Sequence, residues 1–147
     1  MTALSGRRLP EPSDPLFVYG TLRFAEVLVE LIGRTPRLDA AWVADWRAAA
    51  LPDRVYPGLV RAVGTVTHGA MLSGLTAEEW RVLDAFEDDE YELRPVFAHA
   101  GERDLPAWTY VWTAEVAARD WSAEEFAVDH LPYYAGRCGR WRRDLAV

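Results

Sequence analysis

Glu87 is the residue of this sequence whose position most favours acid–base chemistry. It begins a run of four acids, residues 87–90, at the predicted end of a helix, where the helix dipole disfavours negative charge. Trp80, Leu83 and Glu87 are spaced i, i+3 and i+7, so they share one face of that helix. On this apolar face, burial and the neighbouring acids would raise the pKa of Glu87 toward neutrality, which suits a general acid–base. The residues alone leave a solvated Glu87 equally open, and they place the other three acids in solvent: Asp88, Asp89 and Glu90.

A second candidate site is the turn after residues 16–19, an apolar and aromatic run typical of a buried strand. The run ends in Gly20 and Thr21, and a glycine lets the chain reverse and its backbone approach a ligand closely. Backbone N–H groups in such a turn can bind a carboxylate, although most turns of this kind bind nothing. The residues that follow are spaced as in an amphipathic helix closed by a glycine: Phe24, Val27, Leu28, Leu31 and Gly33.

Composition excludes several classes of chemistry. The 147 residues carry a formal net charge of −7, which argues against nucleic acid and acidic membranes as partners. The sequence contains no Lys, Asn or Gln, so all 16 basic residues are Arg. A P-loop lysine, a Schiff-base lysine and a Cys-His-Asn triad are therefore excluded. The sequence shows neither a membrane-spanning run nor a signal peptide, and the protein is expected in the cytoplasm.

Neither the histidines nor the single cysteine predict a metal site. His68, His99 and His130 are scattered, without a His-Glu-x-x-His spacing. Cys138 has no second cysteine for a disulfide and no nearby histidine to activate it, so a passive thiol is predicted. The acidic run lacks the spaced ligands and the glycine of an EF-hand loop. No metal is expected.

The chain is predicted to form a flexible leader, residues 1–14, followed by a single domain, residues 15–147. Early in the domain, residues 38–51 are rich in Ala and Trp and fit a helix or a strand. Residues 55–60 place Pro and Gly together between apolar residues, which predicts a turn or an edge strand and not a central strand.

The second half of the domain alternates helix and strand signals. A capping box at Thr76 begins one helix, and a similar pattern at Ser122 begins a last helix that Pro132 limits. A polar turn is predicted at residues 101–104, and Pro95 marks an edge strand. Period-2 patterns predict three further strands: residues 63–75, 91–98 and 107–113.

Three short words occur in this order in the sequence: FVYGTL at residues 17–22, VYPGLV at 55–60 and LDAFE at 83–87, followed by Tyr91. Together they resemble the γ-glutamylcyclotransferase-like family, and more closely its AIG2-like branch. The likeness runs from about residue 16 through residue 112 and into the last helix. It implies an α+β fold in which a small mixed or antiparallel β-barrel has helices packed outside, and it favours a strand at residues 38–51.

The resemblance also implies an activity. The α-amine of a γ-glutamyl amide attacks its own γ-carbonyl, which gives 5-oxoproline and releases an amine or amino acid, and no cofactor is needed. The implied partner is a small-molecule γ-glutamyl substrate. Tyr56 and Tyr110 are placed near the cavity, although both fit core positions better. The site residues carried over are Glu87 as the catalytic acid–base and, for substrate binding, Tyr19, Gly20, Thr21, Leu22 and Tyr91.

Two rival functions remain open. The same fold could be a non-catalytic module that binds a small carboxylate, because the acidic run and an arginine cluster have no catalytic role. A scaffold could use that cluster, which is otherwise predicted to be a solvated tail. Arg94 could pair with a substrate carboxylate, or with Glu90 or Glu92. The leaving group is open among γ-glutamyl peptides, γ-glutamylamines and protected biosynthetic intermediates, and so is the oligomeric state. The cluster comprises Arg137, Arg140, Arg142 and Arg143.

Overall fold

A computed structural model of the chain describes residues 10–11 and 14–145. The predicted leader, residues 1–14, lies outside these residues except for residues 10, 11 and 14. In chain order the elements are β1 (Leu16–Val18), a 3-10 turn (Thr21–Arg23), α1 (Ala25–Ile32), β2 (Arg37–Ala50), β3 (Pro57–Ser73), α2 (Ala77–Phe86), β4 (Tyr91–Ala100), β5 (Arg103–Trp112), α3 (Ala123–Asp129) and α4 (Leu131–Asp144).

The strands form a closed barrel in the order β1-β3-β2-β4-β5. Two antiparallel hairpins, β2–β3 and β4–β5, supply most of the ladder. The short β1 closes it, antiparallel to β3 and parallel to β5 at Leu16 and Trp108. The barrel is therefore mixed and carries helices outside, which confirms the predicted α+β class.

β2 and β3 settle two predictions. Residues 38–51 form a strand, as the resemblance favoured, with an irregularity between Ala44 and Trp46. The prediction that residues 55–60 are not part of a central strand is wrong, because Leu59 pairs with β2 on one side and with β5 on the other. Pro57 is the first residue of β3, where a missing N–H costs the ladder little.

The β4–β5 hairpin also differs from the prediction. Its turn is Gly101 and Glu102 alone, with Gly101 at φ 63°, so β5 begins at Arg103 and not at residue 107. A glycine reaches this left-handed conformation without strain. Pro95 was predicted to mark an edge strand. It lies where β4 has a partner on one side only, because β4 pairs with β5 along its length but with β2 only at His99.

The last segment contains one helix more than predicted. The Ser122 hydroxyl accepts a hydrogen bond from the Glu125 N–H at 3.1 Å and begins α3. Pro132 does not limit a final helix; it stands in the first turn of α4, where a proline lacks only an N–H that has no helical partner. The arginine cluster lies on α4 and is not a tail. Arg142 donates from Nε to the Leu31 carbonyl at 3.0 Å, which joins α4 to α1.

The buried apolar residues form two clusters. One fills the barrel and includes Phe17, Val43 and Leu59. The other lies between the barrel and the helices and includes Trp80 and Phe126. No helix among the described residues is long and apolar enough to cross a membrane.

Candidate active site

A cavity of about 240 Å³ opens where β1, α2 and α4 converge. One wall is the stretch from Val18 to Leu22 that follows β1, and another is the end of α2 from Phe86 to Asp88. Tyr56 and Pro57 close it from the start of β3. The cavity is therefore built from the three sequence words that carried the resemblance, together with one face of α4.

The turn after β1 is held by packing and by hydrogen bonds. A Cβ on Gly20 would lie 2.9 Å from Cγ of Pro57, so the glycine is needed for close approach to β3. Its φ of −113° is ordinary for any residue. Thr21 donates from its hydroxyl to the Tyr134 hydroxyl on α4 at 3.5 Å. These contacts fix the shape of the turn before any ligand binds.

Tyr19 fixes the same turn from the barrel side. Its hydroxyl donates to the Tyr110 carbonyl at 2.6 Å and accepts from the Leu59 N–H at 3.3 Å. Burial raises the pKa of Tyr19 well above its ordinary value, so the phenol stays neutral. Tyr19 is a rigid wall of the cavity.

Glu87 lines this cavity from the C-terminus of α2. It is the residue just after the helix, with extended backbone (φ −71°, ψ 142°), and its N–H donates to the Leu83 carbonyl at 3.3 Å. Trp80 and Leu83 are fully buried, as their helical spacing predicted. Because the backbone changes direction at Glu87, its side chain reaches the cavity, whereas the side chains of Trp80 and Leu83 enter the core.

The electrostatics of Glu87 match the sequence-based expectation. Burial, and to a smaller extent the charges of Asp88 and Asp84, together raise its pKa to about 8. Negative charge at a helix C-terminus is also disfavoured by the dipole. A carboxyl group with this pKa exchanges a proton readily near neutral pH.

The other acids of the run are not all in solvent, which corrects the prediction. Asp88 accepts a hydrogen bond from the Tyr56 hydroxyl, and its Oδ2 lies 3.8 Å from Nε of Arg54. Arg54 also donates from Nη2 to Glu90 Oε2 at 3.0 Å. Asp89 is exposed, as predicted. Arg54 is thus a compensating cation that the sequence did not connect with this run.

The tyrosines near the cavity hold the barrel together as well as lining the site. Tyr91 donates from its hydroxyl to the Pro57 carbonyl at 2.5 Å, and its ring meets Trp112 edge-on at 4.9 Å. Burial raises the pKa of Tyr91 well above its ordinary value. Tyr110 is buried and donates to Asp84 Oδ1 at 2.8 Å. Tyr56, Tyr91 and Tyr110 all line the cavity.

Sequence reasoning missed one wall of the cavity, which α4 supplies. Its lining residues are spaced i, i+3, i+4 and i+7, a pattern that would have identified a helical face. Burial raises the pKa of the Cys138 thiol to about 12, which agrees with the passive thiol predicted. Arg94 lies elsewhere and pairs with Glu92 at 2.7 Å. The α4 residues that line the cavity are Tyr134, Arg137, Cys138 and Trp141.

A smaller cavity of about 170 Å³ shares one lining residue, Tyr19, with the main cavity. Arg23, Arg47 and His68 line it. Arg47 is already engaged, because it donates from Nη1 to Asp120 Oδ1 at 2.9 Å and to nearby carbonyls. Within the described residues, no cluster of three or more His, Cys, Asp or Glu side chains could hold a metal ion.

Known proteins match this chain over most of its length. The family model described as gamma-glutamyl cyclotransferase, AIG2-like, matches residues 16–126. AIG2-like protein D of Arabidopsis thaliana is 32% identical over 126 residues, which cover 79% of this chain and 80% of that protein. A solution structure of another A. thaliana protein aligns with a TM-score of 0.66 at 28% identity over 84% of this chain and 87% of its own.

A solved structure of a gamma-glutamyl cyclotransferase is similar to this chain, with a TM-score of 0.63 and 12% identity, covering 85% of each chain. At this identity the likeness concerns the fold alone.

Proposed function

Because the chain belongs to the gamma-glutamyl cyclotransferase, AIG2-like family, we propose that it cyclises a γ-glutamyl amide to 5-oxoproline and releases an amine or an amino acid. The observation that carries this proposal is Glu87. Its carboxyl group lines the same cavity as the turn from Tyr19 to Leu22, and its pKa is raised to about 8. A proton acceptor and a rigid backbone turn thus share one site.

In this reaction the turn binds the glutamyl head. Backbone N–H groups of such a turn suit the α-carboxylate of the substrate, and Gly20 keeps the turn close against Pro57. Amine and γ-carbonyl belong to one molecule, so holding them in a near-attack geometry supplies much of the rate enhancement. We assign substrate binding to the turn residues and to Tyr91: Tyr19, Gly20, Thr21, Leu22 and Tyr91.

Glu87 moves one proton across the reaction. The neutral α-amine attacks the γ-carbonyl carbon, and its nitrogen gives a proton to the Glu87 carboxylate as the new C–N bond forms. The bond from this carbon to the leaving nitrogen then breaks, and Glu87 returns the proton to that nitrogen. The products are the lactam and a free amine, with no net gain or loss of protons. A group with a pKa of about 8 can both accept and return a proton near neutral pH.

The test is release of 5-oxoproline from a panel of γ-glutamyl amino acids and γ-glutamylamines. Wild-type protein is expected to release it from at least one member, and Glu87→Gln, which keeps the shape but cannot accept the proton, is expected to stop it. Failure of the wild-type protein on the whole panel would contradict the proposal.

The same panel separates the rival function, a non-catalytic module for small carboxylates. Such a module would be stabilised by a panel member in a thermal-shift assay, would retain that stabilisation in Glu87→Gln, and would release no 5-oxoproline. An enzyme would instead release 5-oxoproline from at least one panel member, and Glu87→Gln would stop that release.

A further inference from the structure

We propose that α4 forms the subsite for the leaving group, and that Arg137 selects leaving groups that carry a carboxylate and an apolar or aromatic side chain. The preferred substrate is then a γ-glutamyl amino acid and not a γ-glutamylamine. This inference rests on the proposed function and adds to it the substrate class and the residue that determines it.

α4 lies outside the segment that the family model matches. The family model matches residues 16–126, and α4 begins at Leu131. The turn and the end of α2 are therefore inside the matched segment, whereas the wall made by α4 is outside it. Residues that act on the shared glutamyl head fall within the match, so the α4 wall is left to contact the part of the substrate that varies.

The α4 wall begins next to the turn that follows β1. The Thr21 hydroxyl on the turn meets the Tyr134 hydroxyl on α4 at 3.5 Å, so a head group bound at the turn lies next to the start of this wall. Arg137 and Trp141 follow Tyr134 along one helical face, the first of them about 4.5 Å further along the axis. A leaving group bonded to the γ-carbonyl is long enough to reach Arg137.

The α4 wall also brings a positive charge to the cavity. Among the described residues that line the cavity, Arg137 is the one cation, and the acids are Glu87 and Asp88. Asp88 is offset by Tyr56 and Arg54. No hydrogen bond or ion pair joins Arg137 to any residue in the part of the chain that the structure describes. The α-carboxylate of the glutamyl head is assigned to the backbone turn, so a second carboxylate, carried by the leaving group, is the anion left to pair with the exposed guanidinium of Arg137.

The cavity wall that includes Arg137 also carries aromatic rings. Phe86 meets Trp141 edge-on at 5.1 Å and Tyr134 edge-on at 6.4 Å, and Tyr56 lies 6.4 Å from Tyr134. Trp141 is partly exposed, so a ligand can reach it. A ring or a branched aliphatic side chain gains burial and edge-to-face contacts against such a wall.

The experiment compares two substrates that differ only in the carboxylate, γ-glutamylphenylalanine and γ-glutamylphenethylamine. Wild-type protein is expected to show about a tenfold higher kcat/KM for the amino acid, the size of a partly exposed charge-assisted hydrogen bond. Arg137→Gln is expected to remove this preference, chiefly by raising KM for γ-glutamylphenylalanine. The control is Arg140→Gln, because both arginines are exposed on the same helix but Arg140 does not line the cavity; it should keep the preference.

Equal effects of Arg137→Gln on both substrates, or a wild-type preference for the amine, would overturn the inference and leave the proposed function standing. A binding measurement makes the inference testable without turnover. The Kd of γ-glutamylphenylalanine for Glu87→Gln should rise about tenfold when Arg137→Gln is added, and an unchanged Kd would overturn the subsite. If the wild-type protein releases 5-oxoproline from no member of the panel while this rise in Kd is observed, the proposed reaction fails and the subsite stands.

Discussion

The two ends of α2 each carry a glutamate, and their surroundings are opposite. At the N-terminus, the Thr76 hydroxyl accepts from the Glu79 N–H at 3.1 Å, and Glu79 Oε1 accepts from the Thr76 N–H at 2.9 Å. Arg34 holds the same carboxylate through two hydrogen bonds of 2.6 and 2.7 Å. The hydrogen bond from Arg34 lowers the pKa of Glu79, whereas burial raises that of Glu87 to about 8 at the other end.

This difference separates a stabilising end from a reactive end. The charge of Glu79 is favoured by the helix dipole, by the cap and by Arg34, so it stabilises the folded state. The charge of Glu87 is disfavoured by the dipole, by burial and by Asp88. A buried acid that prefers to be protonated costs stability when it is ionised, and such a cost is typical of positions kept for chemistry.

The largest expected effect tests the reactive end. Glu87→Gln should lower kcat/KM for 5-oxoproline release by about 10²–10⁴-fold, the range for loss of a general acid–base. Glu79→Gln makes the same chemical change on the same helix and should leave kcat/KM within about twofold, because that side chain is outside the cavity. Equal losses in the two variants would show that the comparison is wrong.

The second prediction concerns stability and pH. The folded-state pKa of Glu87 is about 8 against an ordinary value of 4.5, so between these values the folded protein binds more protons than the unfolded chain. The free energy of unfolding therefore falls as pH rises through this window. Glu87→Gln removes that loss and should be more stable than the wild-type protein at about pH 8.5. The expected difference in the free energy of unfolding is about 1–2 kcal/mol. This is less than the pKa shift alone would give, because the open cavity admits water that screens the charge.

Urea unfolding at about pH 4 and about pH 8.5 measures this difference. The advantage of Glu87→Gln should shrink at the lower pH, where Glu87 is protonated in both states. Glu79→Gln should show the opposite sign at high pH, because the Glu79 charge is stabilising. A Glu87→Gln variant less stable than wild type at about pH 8.5 would contradict the assignment.

A third, smaller effect tests the stabilising end. Thr76→Ala removes the hydroxyl half of the capping box and should lower the free energy of unfolding by about 1 kcal/mol. Thermal or urea unfolding should detect it, while kcat/KM should be unchanged under conditions where the protein is folded. A loss of activity in the folded variant would show that the two ends of α2 are coupled.

The smallest effect sharpens the electrostatic account. Asp88→Asn removes one of the charges that raise the pKa of Glu87, so the acidic limb of the pH profile of kcat/KM should move to lower pH by a fraction of a unit. The control is Asp89→Asn, because Asp89 is exposed and adjacent; it should leave the limb in place. A shift to higher pH in Asp88→Asn would refute the proposed role of Asp88.

The sequence predicted those features that depend on neighbours along the chain. The strand before Gly20, the helix ended by Gly33 and the capping box at Thr76 are set by residues within one or two turns, and all three are present. The raised pKa of Glu87 was predicted from an apolar helical face and from acidic neighbours; the burial and the neighbours are present, although Glu87 follows the helix with extended backbone. The barrel itself required the resemblance, because periodicity gave only strands and helices without their pairing.

The features that were missed depend on contacts between distant residues. Arg54 and Glu90 are 36 residues apart, and no local rule joins them. α4 is rich in Arg and contains Gly136 and Gly139, which weaken a helix signal. A Cβ on Gly139 would lie 2.1 Å from Oε1 of Glu30 on α1; this carboxylate ends a flexible side chain that can move aside.

Tyr19 also affects how water and small ligands can reach the cavity. It lines both the main cavity and the smaller one beside His68. Loss of the Tyr19 ring is therefore expected to connect the two cavities into one channel with two openings. Water would then have a second route to the reacting amide, and a small amine could leave through a different opening from the one through which the substrate entered.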